Sequence, residues 1–163
     1  MIFMGIDPGL ALTGYGLIKE VNGKSGLVTY GCIRTSKECS VTERLLKIYN
    51  GLTDIISWYE PDTAAVEELF FNKNARSAFL VGEARGVALL AAAHAQLETY
   101  EYTPLQVKQS VAGYGRAAKG QVNDMVRAIL SLQEVIRPDD AADALAVAIC
   151  HLHSHKLKER GLI

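Results

Sequence analysis

The sequence predicts an α/β fold: a mixed five-stranded sheet, with three antiparallel strands followed by two parallel ones, flanked by helices on both faces. Short apolar runs separated by turn residues predict strands in the first 34 residues. A three-and-four spacing of apolar residues then predicts a helix, and strands alternate with helices over the rest of the chain. With 163 residues, 49% of them apolar and 21% charged, we expect one globular domain over 1–163.

The first 34 residues predict an antiparallel meander. Ile2 to Asp7 is an apolar run that stops at the turn pair Pro8-Gly9, which indicates a strand buried on both faces. Residues 13–19 and 25–34 are predicted as the second and third strands. Asn22-Gly23 lies between them and is typical of a tight hairpin turn.

From Ser40 onward the apolar residues recur every three or four positions, which predicts the first helix. Ser40 and Glu43 form a possible capping box, and Pro61 ends the pattern. The later predicted elements are a strand at 63–67, an alanine-rich helix at 74–96, a strand at 97–103, a short helix opened by Pro104, a glycine-punctuated loop at 111–119, a helix at 121–132, and a last helix from Pro138 to His151.

Bulk features exclude several classes of protein. No apolar run reaches membrane-spanning length, and no basic region precedes an apolar segment at the N-terminus, so we expect no membrane partner and no secretory signal. The three cysteines, Cys32, Cys39 and Cys150, show no paired metal spacing. They fit a reducing compartment, and we expect a cytoplasmic protein.

Charge is unevenly distributed along the chain. Between Glu101 and Asp124 there is no acid, yet Lys108, Arg116 and Lys119 lie there. A protein that binds nucleic acid through a metal centre is expected to show such a split, with acids for the ions and a separate basic patch for phosphates. Ordinary scatter of charges on a solvated surface explains the pattern equally well.

Carboxylates occur at three places that the predicted fold could bring together. Asp7 ends the first strand, Glu67 ends the fourth, and Asp140 and Asp143 lie one turn apart at the start of the last helix. Four such charges would repel one another unless cations lay among them. Oxygen ligands without His or Cys indicate Mg²⁺, or Mn²⁺ in its place, and two ions about 3.5–4 Å apart can hydrolyse a phosphodiester.

Each of these residues also has a plain structural interpretation. Asp7 could cap a turn, and Asp140 could cap a helix with Asp143 beside it in solvent. Glu68 and Asp139 are predicted to lie off the site. The histidines near the end of the last helix are predicted to occupy a solvated face; they are His151, His153 and His155.

Several motifs, in order along nearly the whole chain, resemble the RuvC family of Holliday junction resolvases. They are Gly5-Ile-Asp-Pro-Gly9 with Thr13-Gly-Tyr-Gly16, Ala65-Val-Glu-Glu-Leu-Phe70, Lys73-Asn74, Gly82-Glu-Ala-Arg-Gly-Val87, Gln106-Val-Lys108 and Asp140-Ala-Ala-Asp-Ala-Leu145. The resemblance implies a ribonuclease H-like fold, a homodimer and Mg²⁺-dependent nicking of two strands across a four-way DNA junction. It also implies the RuvA–RuvB branch-migration complex as a partner.

The same resemblance assigns roles to residues. The family's four acidic positions fall on Asp7, Glu67, Asp140 and Asp143; the third is His in some members, so an all-carboxylate site with two ions per subunit is expected here. Phe70 matches a residue that stacks on an opened base. Lys119 matches a basic residue near the scissile phosphate, and further phosphate contacts are expected from Lys108, Lys73 and Arg76.

Two rival functions remain open at this stage. Asp7-x-Gly9 followed by Thr13-Gly14 also looks like the phosphate loop of actin-like ATPases and sugar kinases, which clamp nucleotide between two such domains, whereas this chain supplies one. A junction-binding module without catalysis is the other rival. For the dimer interface, the alanine-rich helix that begins at Asn74 is the candidate.

Overall fold

The computed structural model describes residues 1–69 and 75–162, with residues 75–77 described as backbone only. In the described chain, five strands form a sheet in the order β3-β2-β1-β4-β5. The strands are β1 (Ile2–Asp7), β2 (Leu12–Val21), β3 (Lys24–Arg34), β4 (Thr63–Glu67) and β5 (Glu98–Tyr102). The β1–β2 and β2–β3 pairs are antiparallel, and the β1–β4 and β4–β5 pairs are parallel. The predicted mixed sheet is therefore confirmed.

Helices cover both faces of the sheet. They are α1 (Val41–Tyr59), α2 (Ala75–His94), α3 (Pro104–Ala112), α4 (Lys119–Ile129) and α5 (Asp139–Glu159). Buried residues of α1 and α2 pack with Met4, Ile6 and Leu17 on one face, and those of α3, α4 and α5 pack with Phe3 and Ile18 on the other. None of the described helices is long and apolar enough to cross a membrane.

Local signals set the ends of α1 as the sequence predicts. The Glu43 N–H donates to the Ser40 hydroxyl at 3.3 Å, and the Glu43 carboxylate accepts from the Ser40 N–H at 2.8 Å. At the other end Glu60 adopts a left-handed conformation, with φ of 44°, directly before Pro61. The capping box and the helix stop are both confirmed.

Glycines let α5 lie directly on the centre of the sheet. A Cβ atom on Gly5 of β1 would lie 2.1 Å from the Ala144 carbonyl oxygen, and one on Gly16 of β2 would lie 2.7 Å from the Leu145 side chain. No larger residue fits at these positions without moving the helix. Helix α5 therefore packs directly against one face of β1 and β2, and residues at its start lie close to the ends of these strands.

Two predicted boundaries around the glycine-punctuated segment are wrong. The segment 111–119 was expected to be a loop, but α3 continues to Ala112 and Lys119 is the first residue of α4, so only 113–118 lie between helices. Gly113 ends α3 with φ of 85°. The helix expected at 121–132 is displaced to Lys119–Ile129 because Ala118 provides the extended backbone that starts it.

The last helix is longer than predicted, and its histidines are not on a solvated face. The helix continues past His151 to Glu159, where Gly161 with φ of 65° closes it. His151 is only 1% exposed, because α5 lies across the middle of the sheet. Its ring nitrogens contact the Tyr102 hydroxyl at 2.9 Å and the Thr63 hydroxyl at 3.0 Å. His151 is therefore a core residue that ties α5 to β4 and β5.

Acid should weaken the fold through His151. Burial, with repulsion from His155 and Lys158, lowers the pKa of His151 to about 4. Between about pH 6.5 and pH 4 the imidazole of His151 is protonated in the unfolded chain but not in the folded chain. Its contribution to the free energy of unfolding therefore falls by about 2–3 kcal/mol as the pH falls through this range. Asp7 and Glu67 have raised pKa values and act in the opposite direction over this range, so the contribution of His151 is measured as a difference between variants. In urea denaturation at pH 7 and pH 4.5, His151→Gln should gain about 2–3 kcal/mol relative to the wild type on going to the lower pH. His94→Gln, which alters an exposed histidine, should follow the wild type.

Candidate active site at the ends of β1 and β4

Asp7 and Glu67 end two neighbouring parallel strands and face the same side of the sheet. In β1 the side chains of Phe3 and Asp7 lie on the face of the sheet toward α5, the face on which Gly5 lets the helix approach. In β4 the side chains of Thr63 and Glu67 lie on the same face. The pairing of Ile6 with Val66 places the two carboxylate-bearing residues side by side. Adjacent strands are about 4.8 Å apart, so these acids are near neighbours. The predicted meeting of these two strand ends is confirmed.

The first turns of α5 bring Asp140 and Asp143 to the same place. Gly14 of β2 is paired with Asp7 across the sheet. A Cβ atom on Gly14 would lie 2.0 Å from the Asp140 carbonyl oxygen, so the start of α5 rests on the strand beside Asp7. One turn on, Asp143 is within reach of Glu67, since both line a cavity of about 150 Å³ with Lys119.

The pKa values of Asp7 and Glu67 are raised by burial and by repulsion from neighbouring acids. Burial, followed by repulsion from Glu67, Asp143 and Asp140, raises the pKa of Asp7 to about 8. Burial and repulsion from Asp143 raise the pKa of Glu67 to about 7, against attraction from nearby lysines. The raised pKa values therefore show that these carboxylates lie close enough to disfavour one another's ionised forms.

Two lysines lie against the acids. The Lys119 Nζ is 2.7 Å from a carboxylate oxygen of Asp143 and 3.9 Å from one of Asp139. Burial opposes the charge of Lys119, but this hydrogen bond and the attraction of the acids raise its pKa overall. Lys108 of α3 lines the same cavity, and its charge helps to lower the pKa of Glu67. Both lysines therefore lie in the cavity that Glu67 and Asp143 line.

The residues present fit a hard divalent cation by their chemistry. Asp7, Glu67, Asp140 and Asp143 offer only carboxylate oxygens, the donors that Mg²⁺ and Mn²⁺ prefer. In the described part of the chain, no three carboxylate, imidazole or thiol side chains yet surround a common point at ligand distance. Lys119 holds the Asp143 carboxylate instead. A bound cation would need the carboxylates to turn toward it, and would relieve the repulsion that helps to raise the pKa of Asp7.

Three predicted DNA contacts cannot be placed. Phe70 and Lys73 lie outside the described residues, and so does the side chain of Arg76. Arg85, left out of the predicted site, forms an ion pair with Glu101.

Other residues near the site were missed by sequence reasoning. Buried Thr13 donates its hydroxyl to the Gly9 carbonyl at 2.8 Å and so shapes the turn after Asp7. Cys32 of β3 is hydrogen-bonded to the backbone of Ala141, and burial together with the charges of Asp140 and Asp7 raises its pKa to about 11. The signal for these contacts was available: glycines at alternate strand positions indicate that another backbone approaches closely.

Comparison with known proteins agrees with this geometry. The family model of the crossover junction endodeoxyribonuclease RuvC matches residues 3–151. The chain is 58% identical to the crossover junction endodeoxyribonuclease RuvC of Desulforamulus reducens over 151 residues, which cover 93% of each chain. It is 56% identical to the RuvC of Pelotomaculum thermopropionicum, covering 99% of this chain and 98% of that one.

Solved structures of similar proteins agree with the sequence comparisons. The Thermus thermophilus RuvC in complex with a Holliday junction substrate superposes with a TM-score of 0.92 at 38% identity, covering 97% of this chain and 96% of that chain. The yeast mitochondrial Holliday junction resolvase Ydc2, at 11% identity and a TM-score of 0.69, shares the fold. A family model over nearly the whole sequence and relatives above half identity leave one assignment: the chain belongs to the RuvC family of crossover junction endodeoxyribonucleases.

Proposed function

We propose that this protein resolves four-way DNA junctions by hydrolysing one phosphodiester in each of two strands, with Mg²⁺ or Mn²⁺ bound among its carboxylates. One observation carries the proposal. Asp7 and Glu67, with pKa values raised to about 8 and about 7, lie at adjacent strand ends facing the acids of α5. Membership of the family and the junction complex of the Thermus relative support DNA with four arms as the substrate.

The four acids would hold the ions, two per subunit. Bound there, they would supply an activated water and a counter-charge for the leaving oxygen. The protein contributes rigidity: Asp7 and Glu67 are held by the sheet, and Asp140 and Asp143 by a helix that is buried along most of its length. A metal site gains selectivity when its ligands come from such rigid elements.

Lys119 would act on the phosphate itself. Its ammonium group lines the cavity and is partly exposed, so it can leave Asp143 and meet a phosphate oxygen. There it would stabilise the negative charge that grows in the transition state. Lys108, which lines the same cavity, would hold the neighbouring phosphate, and Phe70 would stack on an opened base as the family resemblance implies.

A homodimer would supply the two cuts, because one acid cluster cleaves one strand and a two-fold junction needs a symmetric pair. Helix α2 offers a surface for it. Phe79 and Leu90 are 68% and 59% exposed and share one face of the helix with Gly86, where a Cβ atom would meet nothing within 4 Å. Within the cell, the RuvA–RuvB branch-migration complex would deliver the junction to this dimer.

Incubation with a synthetic four-way junction tests the proposal. We expect symmetric nicks in two strands with Mg²⁺, none with EDTA, and no requirement for ATP, as strand-length mapping on a denaturing gel would show. Binding without nicking in Mg²⁺ would indicate a junction-binding module, and ATP turnover without DNA would indicate the kinase-like alternative.

Lys119→Ala should slow nicking about 10- to 100-fold, because one charge stabilising the transition state is lost. Single-turnover rates at saturating protein would show this, while junction affinity should fall much less. Lys119→Arg keeps the charge and should recover part of the rate. An unchanged rate in Lys119→Ala would remove this residue from the site.

A further inference from the structure

An open basic groove begins where β3 ends. It has a volume of about 430 Å³, and we call it the Arg34 groove; its lining residues are Arg34, Thr35, Ser36, Lys37, Glu38 and Lys47. The three cations are exposed, and none of them forms an ion pair with any residue that the structure describes. The single acid, Glu38, accepts a hydrogen bond from Ser36. The groove therefore presents a net positive surface.

The floor of this groove is fixed to the turn that follows Asp7. Thr35 is 8% exposed; its N–H donates to the Ala11 carbonyl at 3.0 Å and its hydroxyl to the Leu10 carbonyl at 2.5 Å. The Nε of Arg44 donates to the same hydroxyl at 2.8 Å. The backbone at the end of β3, which carries Arg34, is consequently fixed relative to the turn after Asp7.

Arg34 also faces the same side of the sheet as the acids. Asp7, Gly14 and Cys32 form a row of paired residues across β1, β2 and β3. Arg34 is two residues beyond Cys32 and so projects from the same face. The electrostatics agree: burial and the charges of Asp140 and Asp7 raise the pKa of Cys32, while Arg34 acts to lower it.

The spacing suits a DNA strand. Two strand intervals of about 4.8 Å and two residues of about 3.3 Å put the Cα of Arg34 about 12 Å from that of Asp7. A DNA strand carries one phosphate per roughly 3.4 Å of helix axis, so a strand of a few nucleotides is long enough to reach from the acids to Arg34. Lys108 and Lys119 line a different cavity, together with Glu67 and Asp143.

We propose that the Arg34 groove is a second phosphate-binding surface, which holds the DNA backbone a few nucleotides from the cleaved bond and is separate from the cavity that Lys108 and Lys119 line. The inference rests on the proposed function, because it takes its occupant from the junction that the acids would cut. The surface positions the substrate and takes no part in the chemical step.

Charge removal tests the surface. Arg34→Gln, Lys37→Ala and Lys47→Ala should each weaken junction binding about three- to tenfold at moderate salt, and each should lower the slope of log K against log salt by about one. The nicking rate at saturating protein should stay within about twofold, because these cations lie away from the reacting phosphate. Lys24→Ala is the matched control, since Lys24 is an exposed cation at the far end of the sheet.

Uncharged linkages in the DNA backbone locate the phosphate that the Arg34 groove contacts. Junctions with single methylphosphonate linkages at each position around the cut should lose affinity for the wild type at linkages a few nucleotides from the cut, on one side only. A variant that combines Arg34→Gln, Lys37→Ala and Lys47→Ala should be insensitive there, because its contact is already gone. Wild-type affinity and slope in all three variants would overturn the inference while leaving nicking intact. A wild type that neither binds nor nicks junctions would overturn the proposed function, and this inference with it.

Discussion

Asp7→Asn should abolish nicking, with a loss on the order of 10³-fold or more in rate, because a charged ligand at the centre of the acid cluster is removed. Asparagine keeps the size of the side chain, so the turn after β1 should be preserved. Junction affinity should change little, since phosphate contacts come from cations elsewhere. Single-turnover nicking and a gel-shift titration on the same preparation separate the two quantities.

The same substitution should stabilise the metal-free protein. Burial and repulsion hold the pKa of Asp7 at about 8 in the folded chain, against 3.8 for an ordinary carboxyl. The contribution of this group to stability is therefore complete below about pH 4 and is lost as the pH rises toward 8. At pH 7.5 in EDTA, Asp7→Asn should be more stable than the wild type by about 2–4 kcal/mol in urea denaturation.

Metal addition provides the reciprocal measurement. Mg²⁺ should raise the melting temperature of the wild type and leave that of Asp7→Asn nearly unchanged, since the ion binds only the folded site. Asp54→Asn, which alters an exposed acid on α1, should match the wild type in every assay. Wild-type nicking by Asp7→Asn would show that Asp7 is not a ligand.

Gly14→Ala should cost both stability and activity. The added Cβ would overlap the Asp140 carbonyl oxygen at 2.0 Å and the carbonyl carbon at 2.5 Å. These are backbone atoms of a helix that Gly5 and Gly16 hold against the sheet, so they cannot move aside locally. We expect a loss of about 3 kcal/mol. Nicking should fall about 100-fold, since a 1 Å shift of Asp140 and Asp143 disturbs the site.

Gly26→Ala provides the matched control. Gly26 lies on β3, and a Cβ atom there would make only ordinary contacts, with the nearest atom at 3.9 Å. Thermal melting and nicking of this variant should stay close to the wild type. If Gly14→Ala behaved the same way, α5 would not depend on close contact with β2.

Much of the fold followed from local chemistry. The capping box at Ser40 and Glu43, the hairpin signal Asn22-Gly23 and the apolar runs gave strands and helices near their observed bounds. Such signals act between residues close in sequence, so they can be interpreted without coordinates. The errors lay where distant contacts decide the outcome, at the start of α4 and at His151.

His151 shows why the rest could not be predicted. Its flanking sequence, with further histidines and lysines, is that of a solvated helix end. The ring is nevertheless buried and hydrogen-bonded by Thr63 and Tyr102, which are 88 and 49 residues away in the chain. No local pattern carries information about partners at that separation.

The sequence by itself determined the order of the strands and helices and marked the four acids, because strand alternation and helix spacing are short-range rules. Only the tertiary structure decided that α5 lies against Gly14, that Lys119 holds Asp143, and that Arg34 projects beside the acids from a strand two places away. Those contacts come from the packing of whole elements. Packing depends on shape and charge across the molecule, and so it is settled only when the chain folds.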